Sequence, residues 1–162
     1  MNTTFDPGGN AYSLDRSPDE STIAVGTGYN NTGDIMIYDK NYNLLRTLDG
    51  HQYNTTSVVF TPDGKLLISG GDDGLIKFWD YNTGALVRTL THGDYLNGGT
   101  LLKLSVSPDG KYIASTGNGY NLVVKVWRVA DGALIKTIPL PVLAMYFPSG
   151  DTDSFNKVPP FR

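Results

Sequence analysis

The chain contains no cysteine, so neither a disulfide nor a thiolate metal site is open to it. It has no run of Lys or Arg and carries a net charge of −3, which leaves no electrostatic footprint for nucleic acid. No apolar stretch approaches the roughly 20 residues that span a bilayer. The opening residues, Met1-Asn2-Thr3-Thr4-Phe5-Asp6, lack the charged and apolar parts of a secretion signal. Neither a nucleic-acid nor a membrane partner is therefore expected, and the interior of the cell, most simply the cytoplasm, is the expected compartment. The glycosylation-like triplets at Asn2, Asn30 and Asn54 are read as chance matches in an Asn/Thr-rich chain. No segment keeps a helical period over about ten residues.

What the chain does have is repetition. Ser17-Pro18-Asp19-Glu20, Thr61-Pro62-Asp63-Gly64 and Ser107-Pro108-Asp109-Gly110 share one turn pattern, and Phe147-Pro148-Ser149-Gly150 is a worn fourth copy. Their prolines are 44, 46 and 40 residues apart. A second ladder runs in phase: Ile35-Met36-Ile37-Tyr38-Asp39, Ile76-Lys77-Phe78-Trp79-Asp80 and Val124-Lys125-Val126-Trp127-Arg128. A third follows it: Leu45-Arg46-Thr47-Leu48, Val87-Arg88-Thr89-Leu90 and Ile135-Lys136-Thr137-Ile138. A period near 40 residues marks stacked units that cannot bury their faces alone. The apolar runs between the turns are short, rich in Val, Ile, Leu and aromatics, and bounded by Gly, Asn, Asp and Pro, the pattern of strands.

These ladders resemble the WD-repeat β-propeller family from about Ala11 to Gly150. The middle unit carries Gly50-His51, Thr61-Pro62-Asp63-Gly64, Ser69-Gly70-Gly71-Asp72-Asp73-Gly74 and Trp79-Asp80. The expected fold is all-β, an incomplete propeller of four-stranded antiparallel blades. The expected layout is one partial domain over 1–162, with repeats at about 10–49, 50–91 and 92–139 and a partial fourth at 140–162. In the second unit the strands are expected near Ser57–Phe60, Lys65–Ser69, Leu75–Trp79 and Ala85–Leu90. Pro presets φ at the first corner of each Pro-Asp-Gly turn, and Gly takes the left-handed position after it. Leu14, Val58, Leu104 and Ala144 are equivalent first-strand positions expected to face neighbouring blades. Arg16 stands where Phe60 and Val106 stand in the other units, which places the first blade at an end or an open edge.

His51, Ser69, Asp73 and Trp79 have the side chains of a Ser-His-Asp set. The resemblance implies a structural hydrogen-bond relay instead, with His bridging Asp and Ser, and Ser reaching the indole. A nucleophilic triad needs an exposed Ser and an oxyanion hole, and the sequence shows no nucleophile elbow. The third unit offers His92 and Trp127 with Ser115 and Asn121 as partners; the first has Tyr38 in place of Trp. Asp72-Asp73 and Asp151-Thr152-Asp153 lack the spaced oxygen ligands and late Glu of a calcium loop and read as turn carboxylates. Gly26-Thr27-Gly28 and Gly117-Asn118-Gly119 precede no helix, so they read as hairpins rather than phosphate sites. No catalytic residue, metal or cofactor is expected.

One pattern points to binding. Tyr29-Asn30 and Tyr120-Asn121 fall between second and third strands, in loops expected to be longer than Gly71-Asp72-Asp73-Gly74. Tyr53-Asn54 and Tyr95-Leu96-Asn97 fall between blades. In a propeller both connection types open on one face, so four Tyr/Asn pairs share a rim expected to meet a protein partner. Tyr gives large contact area at low entropy cost and Asn adapts its hydrogen bonds. The expected function is a non-catalytic interaction scaffold. Two alternatives stay open: an enzyme or small-molecule site at the central opening, and a fragment of a longer protein whose function lies elsewhere. Closure is expected through a homodimer or through further blades on another polypeptide.

Overall fold

The computed structural model describes residues 9–93, 100–118 and 123–140. Twelve strands make three antiparallel meanders among these residues. The first blade is β1 (Asn10–Arg16), β2 (Thr22–Gly28), β3 (Thr32–Asp39) and β4 (Leu44–Gln52). The second is β5 (Thr55–Phe60), β6 (Leu66–Gly71), β7 (Leu75–Asp80) and β8 (Leu86–Thr91). The third is β9 (Leu101–Val106), β10 (Tyr112–Gly117), β11 (Val123–Arg128) and β12 (Leu134–Pro139). The second-blade strands match their expected positions to within two residues; β5 and β6 run on at the top because pairing resumes beyond the Thr55/Ser57 register shift. The first strands β1, β5 and β9 lie side by side along the inner edge of the stack.

The recurring turns are built alike. Ser17, Thr61 and Ser107 each donate a side-chain O–H to the following Asp, at 2.6, 2.7 and 2.6 Å. Each hydroxyl oxygen also accepts the backbone N–H that opens the next strand, at Thr22, Leu66 and Tyr112. The hydroxyl bonds, followed by backbone N–H bonds to the same carboxylates, hold Asp19, Asp63 and Asp109 below the usual carboxylate range. Gly64 and Gly110 adopt φ of 68° and 70°; the first copy asks Glu20 to do the same at 61°.

Strand alternation sends one set of side chains toward the preceding blade and the other toward the following one. The result is two core layers, one at each blade boundary. Ala24, Ile35, Ile37 and Leu48 meet Val58, Phe60, Leu67 and Trp79 at the first. Ile68, Ile76 and Phe78 meet Leu104, Ile113 and Trp127 at the second. Leu14, by contrast, is 71% exposed, because no described blade precedes it, and Arg16 lies at the open end with its guanidinium 3.1 Å from Glu20. Ala144 lies outside the described residues, as does the expected fourth repeat beyond Leu140.

Polar locks join the blades across these layers. Ser13 Oγ accepts from Val58 N at 3.2 Å, Asp15 Oδ2 from Phe60 N at 2.7 Å, and Ser57 Oγ from Leu104 N at 3.0 Å. At the outer edge Arg46 donates to the carbonyls of Tyr81 and Asn82, and Arg88 repeats the contact on Val129 and Ala130, all within 2.9–3.1 Å. A planar guanidinium suits this two-carbonyl target, since its donors are fixed in a fork. Sequence reading assigned no role to these arginines, although a basic residue recurs there in every third-ladder copy.

Candidate functional site

Four side chains of the second blade form one continuous chain. His51 Nδ1 lies 2.9 Å from Asp73 Oδ1, His51 Nε2 is 2.8 Å from Ser69 Oγ, and Trp79 Nε1 donates to the same Oγ at 2.9 Å. The indole can only donate and the carboxylate only accept. In the neutral imidazole, Nδ1 therefore carries the proton and Ser69 O–H donates to Nε2. Asp73 also accepts the backbone N–H groups of Gln52 and Leu75 at 3.1 and 3.0 Å. His51 sits on β4, the outermost strand of the first blade, so the chain of bonds crosses the blade boundary. Lys77 lies over the Trp79 ring at 5.9 Å and its ammonium donates to the carbonyl of Gly50.

The Ser69 hydroxyl is fully buried, and its proton is engaged by His51 while its oxygen accepts from Trp79, so it is not presented to a substrate. Among the described residues no group of three or more His, Asp or Glu side chains is placed to hold a metal ion. Every buried side-chain nitrogen and oxygen among them has a partner.

The third blade keeps a shortened version. His92 Nδ1 meets Ser115 Oγ at 2.7 Å, and Trp127 Nε1 donates to that oxygen at 2.8 Å. The ring thus presents the opposite nitrogen from His51. Burial, helped by the neighbouring Lys125 ammonium, pushes the His92 imidazole down to about 4, so it is neutral at pH 7. Asn121 lies outside the described residues. In the first blade Tyr38 takes the Trp position and Val25, paired with Met36, takes that of Ser69.

The β2–β3 turn and the β4–β5 connection share one rim. Tyr53 N donates to Asn31 O at 2.9 Å, fastening the two segments together. Asn30, Asn31 and Tyr53 all have left-handed backbones, with φ of 49°, 66° and 67°. Asn tolerates this conformation, whereas a bulky residue such as Tyr53 rarely adopts it, and such strain collects at functional positions. A Cβ on Gly33 would sit 2.1 Å from the Tyr53 carbonyl oxygen, so only glycine permits the approach. Tyr29 is 61% exposed and Asn30 is also exposed, whereas Tyr53 and Asn54 are half-buried. Asn54 braces the rim: its side-chain amide donates to Asp72 Oδ2 at 2.7 Å, and its carbonyl accepts Asp72 N at 2.9 Å. Tyr95, Asn97 and Tyr120 lie outside the described residues, as does Asn121.

The expectation of a longer β2–β3 loop needs correcting. Three residues separate β2 from β3, and three separate β6 from β7. The extra residues of the first hairpin are absorbed instead as added strand length and a Tyr29–Thr32 bridge.

Comparisons with known proteins agree on the architecture. The family model for the WD domain, G-beta repeat, matches residues 42–80 and 84–128. The chain is 35% identical over 108 residues to the nuclear distribution protein PAC1 of Arthroderma otae, covering 59% of this chain and 22% of that one. It is 31% identical over 116 residues to the small ribosomal subunit protein RACK1 of Drosophila melanogaster, covering 70% of this chain and 33% of that one. The solved structure of U3-55K superposes with a TM-score of 0.72 at 22% identity, covering 83% of this chain and 40% of that one. The chain therefore spans about a fifth to two fifths of the length of these proteins. With matching repeats over half its length and three stacked four-stranded blades, the chain belongs to the WD-repeat β-propeller family.

Proposed function

We propose that this chain is a non-catalytic protein-docking platform whose working surface is the rim holding Tyr29, Asn30, Tyr53 and Asn54, continued by Tyr95, Asn97, Tyr120 and Asn121. WD-repeat proteins are generally non-enzymatic interaction scaffolds. The observation that carries the reading is the fastening of the β2–β3 turn to the β4–β5 connection through Asn31 and Tyr53, with Tyr53 in a left-handed backbone, beneath an exposed tyrosine. Binding residues on loops held by a rigid sheet scaffold are a recurring arrangement. The partner is a protein, neither nucleic acid nor membrane, met in the cytoplasm. Repeats at about 10–49, 50–91, 92–139 and 140–162 belong to the same proposal, as does closure of the ring by further blades.

The test is affinity capture. The whole chain is immobilised, exposed to extract of its source cells, and the retained proteins are identified by mass spectrometry. Alanine at Tyr29, Tyr53, Tyr95 and Tyr120 together is expected to abolish capture of a defined protein and to spare the circular-dichroism spectrum. Capture that survives this change, but fails when Tyr42 and Asn82 on the opposite loops are replaced, overturns the choice of rim.

A further inference from the structure

The two internal blade boundaries differ at one equivalent place, which is filled at the first and open at the second. In both it lies between successive Pro-Asp turns, at the end of the blades opposite the rim. At the first boundary Tyr81 closes it. Its ring meets Phe60 edge-on with centroids 5.2 Å apart, and its hydroxyl lies 2.6 Å from Thr22 Oγ1 of the first blade. At the second boundary all three positions differ. Val129 stands for Tyr81, since each donates its amide to the residue before a second strand, Lys111 or Lys65. Val106 precedes its turn as Phe60 does, and Leu66 opens its strand as Thr22 does. Two aromatic rings thus give way to two valines, and a hydroxyl pair to a leucine. The hollow measures about 600 Å³ here, against about 440 Å³ at the first boundary. It extends outward along Val87 of β8, which is 54% exposed.

The margin of this hollow is acidic. Asp63, Asp80 and Asp109 line it against one cation of the lining, Lys65. The turn hydroxyls hold Asp63 and Asp109 below the usual carboxylate range, and the backbone N–H of Thr83 does the same for Asp80. All three are therefore ionised at neutral pH. The stretches outside the described residues, 1–8, 94–99, 119–122 and 141–162, join their strands at the rim end, away from this hollow. Among the described residues no side chain takes the place that Tyr81 fills at the first boundary.

We propose that the hollow between the second and third blades is a docking site for a segment of a partner protein that carries an aromatic residue flanked by lysine or arginine. The ring enters between Leu66 and Val129, as the Tyr81 ring does one boundary earlier, and the flanking cations meet the three carboxylates. The volume falls within the about 300–1,000 Å³ of ligand pockets. An apolar floor contributes affinity through burial, while charges at the margin set orientation and exclude acidic segments. The site is on the face opposite the rim, so occupancy of one does not depend on the other.

The experiment titrates the whole isotope-labelled chain with the peptide acetyl-Lys-Phe-Lys-amide and follows amide chemical shifts. Saturable shifts are expected at Leu66, Val87, Gly110 and Val129 at millimolar peptide. Exchanging the peptide's Phe for Ala is expected to weaken binding at least about tenfold, the loss of one buried ring. Exchanging both of its lysines for Glu is expected to abolish binding. In the chain, Val129→Tyr with Leu66→Thr rebuilds the closure of the first boundary and is expected to abolish binding too. Should that pair disturb the circular-dichroism spectrum, Val87→Lys at an exposed position takes its place, with the same loss expected. No saturable shift at these amides, equal binding of the Ala or Glu peptide, or undiminished binding by the variant chain overturns the proposal. A segment of the chain itself seated in the hollow excludes the peptide and falls under the first of these outcomes. A second copy seated there, seen as shifts at these amides that move with protein concentration alone, overturns it as well.

Discussion

Replacing His51 with alanine isolates the bond network that crosses the first blade boundary. The imidazole is buried and makes two side-chain contacts, one to the Asp73 carboxylate and one to the Ser69 hydroxyl. A hydrogen bond to a charged group contributes about 1.5–3 kcal/mol and a neutral one about 1 kcal/mol. Asp73 keeps its two backbone donors and Ser69 keeps the Trp79 indole, so neither is stripped bare. The expected loss is therefore about 3 kcal/mol, with the emptied imidazole space adding to it. For a domain of this size that lowers the melting temperature by roughly 6–12 °C. The chain has two tryptophans, one in this network and one in the shorter network of the third blade. Carrying Trp127→Phe in the background leaves Trp79 fluorescence as a local reporter beside the global circular-dichroism melt. A cycle with Asp73→Asn is expected to show coupling of about 1–2 kcal/mol, as residues of one network do. A melt shifted by less than about 2 °C, or no coupling, would refute the view that this network stabilises the boundary.

Three further outcomes follow from particular residues. Trp79→Ala removes a large buried aromatic from the first core layer and should cost about 3–5 kcal/mol in urea unfolding; a loss under about 1 kcal/mol contradicts its placement there. Glu20→Gly relieves a left-handed residue that glycine occupies in the other two turns, at the expense of one exposed ion pair and some chain entropy. A net gain of about 0.5–1 kcal/mol is expected, and an unchanged or lower melting temperature counts against it. His92 titrates near 4 when folded against an ordinary 6.5, so the unfolded chain binds more protons between these values. Its contribution is complete above pH 6.5 and is lost as pH falls toward 4, and His92→Gln should flatten the stability profile in that window.

The parts of the fold legible in the sequence are those fixed by local chemistry. Pro, Asp and Gly at set offsets demand one turn geometry, and the three copies adopt it with the same side-chain bonds. Strand alternation then assigns Val58 and Leu104 to blade boundaries, where both are buried. The locks made by Ser13, Ser57, Arg46 and Arg88 were not legible, because their partners are backbone groups of the next blade, 35 to 47 residues away. A backbone amide or carbonyl leaves no mark in the sequence. The rim shows the same limit. Tyr29 and Asn30 could be placed on it, but the backbone link between Asn31 and Tyr53 and the bracing of Asn54 by Asp72 depend on how two connections meet in space. The hairpin length was misjudged because residues between two apolar runs can extend the strands as easily as the turn.

The central claim is that the blades are locked to one another into a single rigid platform. Residue-resolved hydrogen exchange of the native chain tests it most directly. The amides of Val58, Phe60 and Leu104 donate to side chains of the preceding blade, so they are released only when a boundary opens. The account predicts protection at these three amides as strong as in the buried central strand β6. Exchange there as fast as at exposed Tyr42, with β6 still protected, would show blades that fold but do not lock, and would contradict the account.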